Sequence, residues 1–98
     1  MKTHELKIWP EYFKAVKNGT KTFELRKNDR DFKVGDILVL KEWKPGLIDS
    51  TGLEEIVIEE QGYTGRKIEK KISFILNGGQ FITKGSGLRK GWVILGII

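Results

Sequence analysis

The 98-residue chain has no cysteine, one histidine, two prolines and one methionine. Without cysteine there is no disulfide framework and no thiolate metal site. A lone histidine cannot supply the ligand set of structural zinc, and no carboxylate spacing suggests a magnesium site. Long apolar runs are missing too: none approaches the roughly 20 residues that span a bilayer. The polar start Met1-Lys-Thr-His-Glu5, with Lys7 interrupting the first apolar run, has no signal-peptide pattern. These absences predict a soluble, cytoplasmic protein with no membrane partner, no metal and no cofactor. The length suits one domain over residues 1–98, with one core.

Acidic residues are scarce outside one segment. Residues 1–41 carry a net charge of +4 and residues 66–98 a net +6, where Glu69 alone opposes seven bases. Residues 42–60 carry a net −5, with Lys44 against Glu42, Asp49, Glu54, Glu55, Glu59 and Glu60. A basic body with an acidic insertion at 44–60 suits a polyanion partner on one face. Lysine also serves as a plain solubiliser, and charge alone does not separate the two.

What is present organises as short strands around one helix. Residues 4–8 alternate, placing His4, Leu6 and Ile8 on one side and Glu5 and Lys7 on the other, the period of a half-buried strand. Pro10 fits a first helical turn; Tyr12, Phe13, Ala15 and Val16 recur at helical spacing, and Asn18-Gly19 supplies a left-handed stop. Residues 21–27 read as a strand with Phe23 and Leu25 facing the core. Val34-Gly35-Asp36 is a tight turn before an apolar strand from Ile37 to Leu40, extending to Trp43. Residues 47–55 read as an exposed loop, Ile56 to Ile58 as a short strand, and Gly62-Tyr-Thr-Gly65 as a turn into a long strand. In that strand Ile68, Ile72, Phe74 and Leu76 share one parity, and Lys70 is the misfit, marking a bulge or a departure from the sheet. Residues 77–91 form a Gly-rich, mobile loop, in which Gly85-Ser-Gly87 before Leu88-Arg-Lys90 reads as a flexible flap over the cleft, and Gly91 to Ile98 a central last strand. The sum is a mostly β (α+β) fold: a small β-barrel of five to six strands with one packed helix.

The chemistry concentrates in Gly19-x-Lys21-x-x-Glu24-x-Arg26. Alternation puts Thr22, Glu24 and Arg26 on one face, opposite Phe23 and Leu25, with Lys21 reaching inward at an open end. Glu24 accepts bonds from a base amino group, and Arg26 offers a planar fork to phosphate or a base edge. The competing account is a solvated cross-strand ion pair contributing ~0–1 kcal/mol.

This motif, followed by Val34-Gly35-Asp36 and an apolar strand, resembles the ASCH domain of the PUA-like superfamily. The fuller string is similar to the DUF3850 family within it: His4-Glu-Leu-Lys-Ile8, Pro10-Glu-Tyr-Phe13, Phe23-Glu-Leu-Arg-Lys-Asn-Asp-Arg-Asp-Phe32, Tyr63-Thr-Gly-Arg66 and the closing Gly-Trp-Val-Ile-Leu-Gly-Ile run. The resemblance covers all but 44–60 and 77–90, and implies a PUA-like barrel and an RNA-related role. Some ASCH proteins are amidohydrolases acting on acylated cytidine through a Lys–Thr–Glu set, and others are ribonucleases. Lys21 matches the family lysine, but Glu24 stands where those hydrolases carry Thr, and the distal Glu has only Glu69 as a rough counterpart.

The remaining candidates each have a plain structural reading beside a functional one. His4 is either a hydrogen-bonded histidine at the barrel's end or a cleft residue beside Lys21. Trp9 and Trp43, at strand ends, and Tyr63 are stacking platforms for bases if exposed, whereas Trp92 reads as core. Arg26-Lys27, Arg66-Lys67, Lys70-Lys71 and Arg89-Lys90 grip a nucleic-acid backbone if the fold converges them, and are solvated faces if it does not. The leading expectation is RNA or modified-nucleoside binding through Lys21, Glu24, Arg26, His4, Trp9, Trp43, Arg66, Lys67, Arg89 and Lys90. The alternatives are a small amidohydrolase using Lys21, Glu24 and His4, and a protein-interaction module using the acidic segment.

Overall fold

A computed structural model describes residues 1–49, 56–79 and 88–98. In chain order these form β1 (Thr3–Ile8), α1 (Pro10–Lys17), β2 (Phe23–Lys27), β3 (Ile37–Lys44), β4 (Leu47–Asp49), β5 (Ile56–Glu59), β6 (Gly62–Asn77) and β7 (Trp92–Ile97). Five strands make one mixed sheet in the order β1-β3-β6-β7-β2, and β4 pairs with β5 in a separate ribbon. β1 runs parallel to β3, and the other neighbours are antiparallel. The core gathers Leu6 and Ile8 of β1, Phe13 and Val16 of α1, Phe32, Leu38 and Leu40 of β3, Ile72 of β6, and Val93, Leu95 and Ile97 of β7.

The alternation expected in β1 is present: His4, Leu6 and Ile8 are buried and their neighbours exposed. Helix α1 begins at Pro10 and buries only Phe13 and Val16, one stripe of a two-turn helix. Its end is closed by backbone bonds from Asn18 N to Lys14 O and from Gly19 N to Val16 O, with Gly19 at φ 84°. A left-handed residue there favours glycine because it lacks a Cβ. β7 lies between β6 and β2, the central place its two apolar faces called for.

Six expectations need correction. The sheet does not close into a barrel through backbone pairing, since β1 and β2 remain its two edges. Arginine side chains reach across that seam instead: Arg26 Nη2 donates to the carbonyl of Lys7, and Arg30 Nη1 to that of Glu5 at 2.9 Å. Second, the facing of β2 is reversed. Glu24 and Arg26 pair with Leu95 and Val93, both fully buried, so register with β7 turns the charged residues inward. Phe23 and Leu25 are left 46% and 50% exposed. Lys21 precedes the strand and escapes its parity.

Third, Leu47–Asp49 is the strand β4 rather than loop, while 50–55 lie outside the described residues. Fourth, Gly62 to Gly65 is the start of β6 rather than a turn into it. Fifth, the single parity of β6 breaks at a register shift between Ile72 and Phe74. Beyond it Ile75 packs on the core and Phe74 is 62% exposed. There is no bulge at Lys70, which pairs in register with Leu38; β6 leaves β3 for β7 at Lys71–Ile72. Sixth, Trp92, expected in the core, is half-buried. Of the Gly-rich loop, residues 80–87 lie outside the described residues.

Candidate functional site

Asn18 to Thr22, the turn between α1 and β2, positions the first candidate. Lys21 N donates back to Ala15 O at 3.0 Å, and Thr20 Oγ1 bonds Asn18 Oδ1 at 2.7 Å, so the turn folds onto the helix end. The Lys21 side chain is thereby directed to Glu24, donating from Nζ to Oε1. Arg26 Nε donates to the other carboxylate oxygen, Oε2, at 3.1 Å. Glu24 is 3% exposed, and a carboxylate so far from water needs this pairing. Two cations on one anion leave the trio with a net charge of +1.

Around the trio opens a cavity of about 520 Å³, lined by Lys7, Ile8, Trp9, Tyr12, Lys21, Phe23, Glu24, Leu25 and Arg26. Its position follows from the fold: the end of β1, the first turn of α1 and the edge strand β2 meet at the unclosed seam. Trp9 is 51% and Tyr12 49% exposed, and with Phe23 they give the cavity three half-exposed rings. The Lys21 ammonium lies 5.3 Å from the Tyr12 ring centroid and 5.2 Å from that of Phe23, within cation–π range. A second, smaller hollow continues along the seam past Arg26 to Arg30, Phe32 and Trp92.

Residues 3–97 match the family described as "Domain of unknown function (DUF3850)". The chain belongs to this family. It is also 38% identical over 72 residues to a protein of Escherichia phage P2 described as "Uncharacterized 12.9 kDa protein in GpA 3'region"; the match covers 74% of this chain. It spans about half, 52%, of that relative's length. Neither description states a ligand or an activity.

In this DUF3850 chain the other predicted residues fall elsewhere. His4 does not line the cavity. It is buried beneath the opposite end of β1, where a 2.8 Å hydrogen bond links its Nε2 to Asp36 Oδ2 and its ring packs 4.8 Å from that of Phe32. Asp36 also accepts from Lys2 N at 3.0 Å and Lys33 N at 3.1 Å. These donors, the Lys2 amide first and then His4, hold its carboxyl down at about 2. The Val34-Gly35-Asp36 turn thus ties the start of β1 to β3, a structural duty.

Arg66 forms a third cluster. Its Nε and Nη2 donate to the two oxygens of buried Glu42 at 2.8 and 2.6 Å, Thr64 Oγ1 adds a bond at 2.7 Å, and the guanidinium sits 5.0 Å from the Phe13 ring centroid. This bidentate pairing holds the Glu42 carboxyl below its ordinary range and raises Arg66 above its own. Trp43 and Lys67 lie on the outer face of β3 and β6. Arg89 and Lys90 are exposed before β7, where Arg89 O accepts from Trp92 N, and they do not line the cavity. So the fold joins Lys21, Glu24, Arg26 and Trp9, and disperses the rest.

Tyr12 and Phe23 were missed as cavity residues. The signal was available for Tyr12, since only Phe13 and Val16 can face the core from so short a helix. For Phe23 no local signal existed, because its facing is set by pairing with β7. Among the described residues no group of three or more His, Cys, Asp or Glu could hold a metal, and no helix is long and apolar enough to cross a membrane.

Proposed function

We propose that this protein is a binding module for RNA or a modified nucleoside, on a PUA-like scaffold, with its ligand in the cavity at the β1–β2 seam. One observation carries the reading: three half-exposed aromatic rings surround a cationic trio in a cavity of about 520 Å³. A base stacked on such a ring contributes ~1–3 kcal/mol. The net positive trio suits the attached phosphate, and Arg26 keeps donors at the cavity wall. Glu24 has both oxygens engaged, so its first duty is to hold Lys21 and Arg26 in place.

The hydrolytic alternative finds less support. Among the described residues no Ser or Thr lines the cavity, and the Thr20 hydroxyl is engaged with Asn18 and Ala15 O. The Lys21 Nζ is already engaged with the Glu24 carboxylate and packs beside the Tyr12 and Phe23 rings, so it is not free to attack a substrate.

The test is titration of short fluorescent RNAs and free nucleosides against the parent chain, Trp9→Ala and Arg26→Ala at two salt concentrations. Trp9 is half-exposed, so its loss leaves the fold intact. The expected result is at least a several-fold loss of affinity in each variant, with binding weakened by salt. Indifference to both substitutions would sink the reading, and turnover of acyl-cytidines abolished by Lys21→Ala would favour the hydrolase.

A further inference from the structure

The outer face of β1, β3 and β6 carries an arrangement that the cavity does not use. Register aligns Lys7 with Lys41 and Lys41 with Lys67, so three lysines stand side by side across three strands. They share the face opposite Leu6, Leu40 and Ile68. Adjacent strands are about 4.8 Å apart, and like charges directly opposite one another destabilise a sheet. The next row on this face is Glu5, Val39 and Glu69, yet none of the three ammonium groups makes an ion pair among the described residues.

Beside the lysine row stand two aromatic rings. Trp43 pairs with Tyr63 across β3 and β6, just past the register shift that separates Trp43 from Lys41. Lys7 Nζ lies 4.8 Å from the Trp43 ring centroid and 6.0 Å from that of Tyr63; Lys41 Nζ is 4.4 Å from Tyr63. Tyr63 is 52% exposed and Trp43 half-buried, so both rings keep surface for a ligand.

We infer that this sheet face is a second contact surface, distinct from the cavity, for single-stranded nucleic acid. The lysine row takes the phosphate backbone, and Trp43 and Tyr63 take bases. Charge complementarity argues for a polyanion, because an arrangement that costs stability in the free protein becomes favourable when phosphates neutralise it. The rings decide among polyanions. A single strand offers free base faces to stack, a duplex has them already stacked, and an acidic polypeptide has none. Lys7 belongs to both regions: it lines the cavity, and its ammonium sits over Trp43. A strand leaving the cavity would therefore meet the row at its first lysine.

The test is fluorescence polarisation with labelled 12-mer oligo-U and oligo-dT on the parent chain, Lys41→Gln, Lys67→Gln, Tyr63→Ala and the cavity variant Trp9→Ala. Each lysine substitution should weaken binding several-fold and reduce the slope of log affinity against log salt by ~0.7, the value per neutralised phosphate on a single strand. Tyr63→Ala should weaken binding while leaving that slope unchanged. Thermal unfolding is the folding control, and removing a repulsive lysine should leave Tm equal or higher. Equal affinity for a duplex of the same length, or full competition by polyglutamate together with indifference to Tyr63→Ala, would overturn the inference. If Trp9→Ala binds like the parent while the face variants fail, the cavity reading falls and this one stands; the reverse pattern does the opposite.

Discussion

Replacing Glu24 by glutamine tests the inverted facing of β2 most directly. The carboxylate is 3% exposed and faces fully buried Leu95, and the side chains of its partners, Lys21 and Arg26, are only 18% and 25% exposed. Deleting one partner of a buried ion pair costs about 3–5 kcal/mol. Here the stranded cations regain some water, Arg26 keeps its bond to the Lys7 carbonyl and the amide still accepts one bond, so we expect ~2–4 kcal/mol. In a domain of this size each kcal/mol moves Tm by about 4–8 °C, which puts the drop between about 8 and 32 °C. Urea denaturation should show the midpoint falling with an unchanged m-value. Arg26→Gln, which leaves Glu24 paired to Lys21, should cost less than Glu24→Gln. A change within about 0.5 kcal/mol for Glu24→Gln would refute the reasoning, since that is the behaviour of a solvated surface pair. Replacing Lys21, Glu24 and Arg26 together by methionine supplies the converse. Removal of a whole buried ion cluster is often neutral or stabilising, so this variant should stay folded while losing ligand.

Further outcomes follow from the same geometry. Stability should fall as pH drops from about 4 towards 2: Asp36 has its carboxyl lowered to about 2 in the folded chain from 3.8, so its contribution is complete above the higher value and is lost through the lower one. Asp36→Asn should flatten the acid limb of a Tm-against-pH curve, and an unchanged limb would show that the Lys2, Lys33 and His4 bonds do not couple to folding. Leu95→Ala, at a fully buried site, should cost ~2–5 kcal/mol, whereas Leu25→Ala on the exposed face should cost under about 1 kcal/mol. Equal losses in urea would contradict the parity of β2. Gly78→Ala would set a Cβ 1.7 Å from the Arg89 carbonyl oxygen and 2.9 Å from that of Trp92. It should therefore destabilise the β6–β7 pairing by about 1–3 kcal/mol or more; a parent-like Tm would show that the two chain segments separate freely there.

Much of the fold was legible locally. The β1 alternation, the length and stop of α1 and the centrality of β7 depend on neighbours within a few residues, where periodicity and turn chemistry act. What was not legible depended on partners distant in sequence. Phe23 and Leu25 look like a core stripe, and only pairing with Val93 and Leu95 reveals that Glu24 and Arg26 own the inner face. The β6 parity fails for the same reason, because the shift at Ile72–Phe74 accompanies its change of partner from β3 to β7. The charged motif itself was conspicuous, and Lys21, Glu24 and Arg26 do meet. The convergence of four basic pairs did not follow, because Arg66 is committed to Glu42 and Arg89-Lys90 lie before β7.

The way the acids are used bears on which bases remain for a ligand. Glu24, Asp36 and Glu42 are three of the four buried polar side chains among the described residues, and each fastens elements far apart in sequence. Glu24 holds Arg26, which reaches the edge of β1; Asp36 secures the start of β1; Glu42 clamps β3 to β6 through Arg66. No buried side-chain nitrogen or oxygen among the described residues lacks a partner, so these clusters are satisfied from within. Arg66 is thereby committed to architecture, and its removal should register first in stability. Lys7, Lys41 and Lys67 hold no carboxylate among the described residues, and although Lys7 and Lys41 lie over the Trp43 and Tyr63 rings, their row sets like charges side by side. Arg66 on buried Glu42 holds the molecule together, whereas the lysine row on the open sheet is left to meet an anion. Arg66→Gln should therefore lower Tm, while Lys41→Gln should lower affinity without lowering Tm.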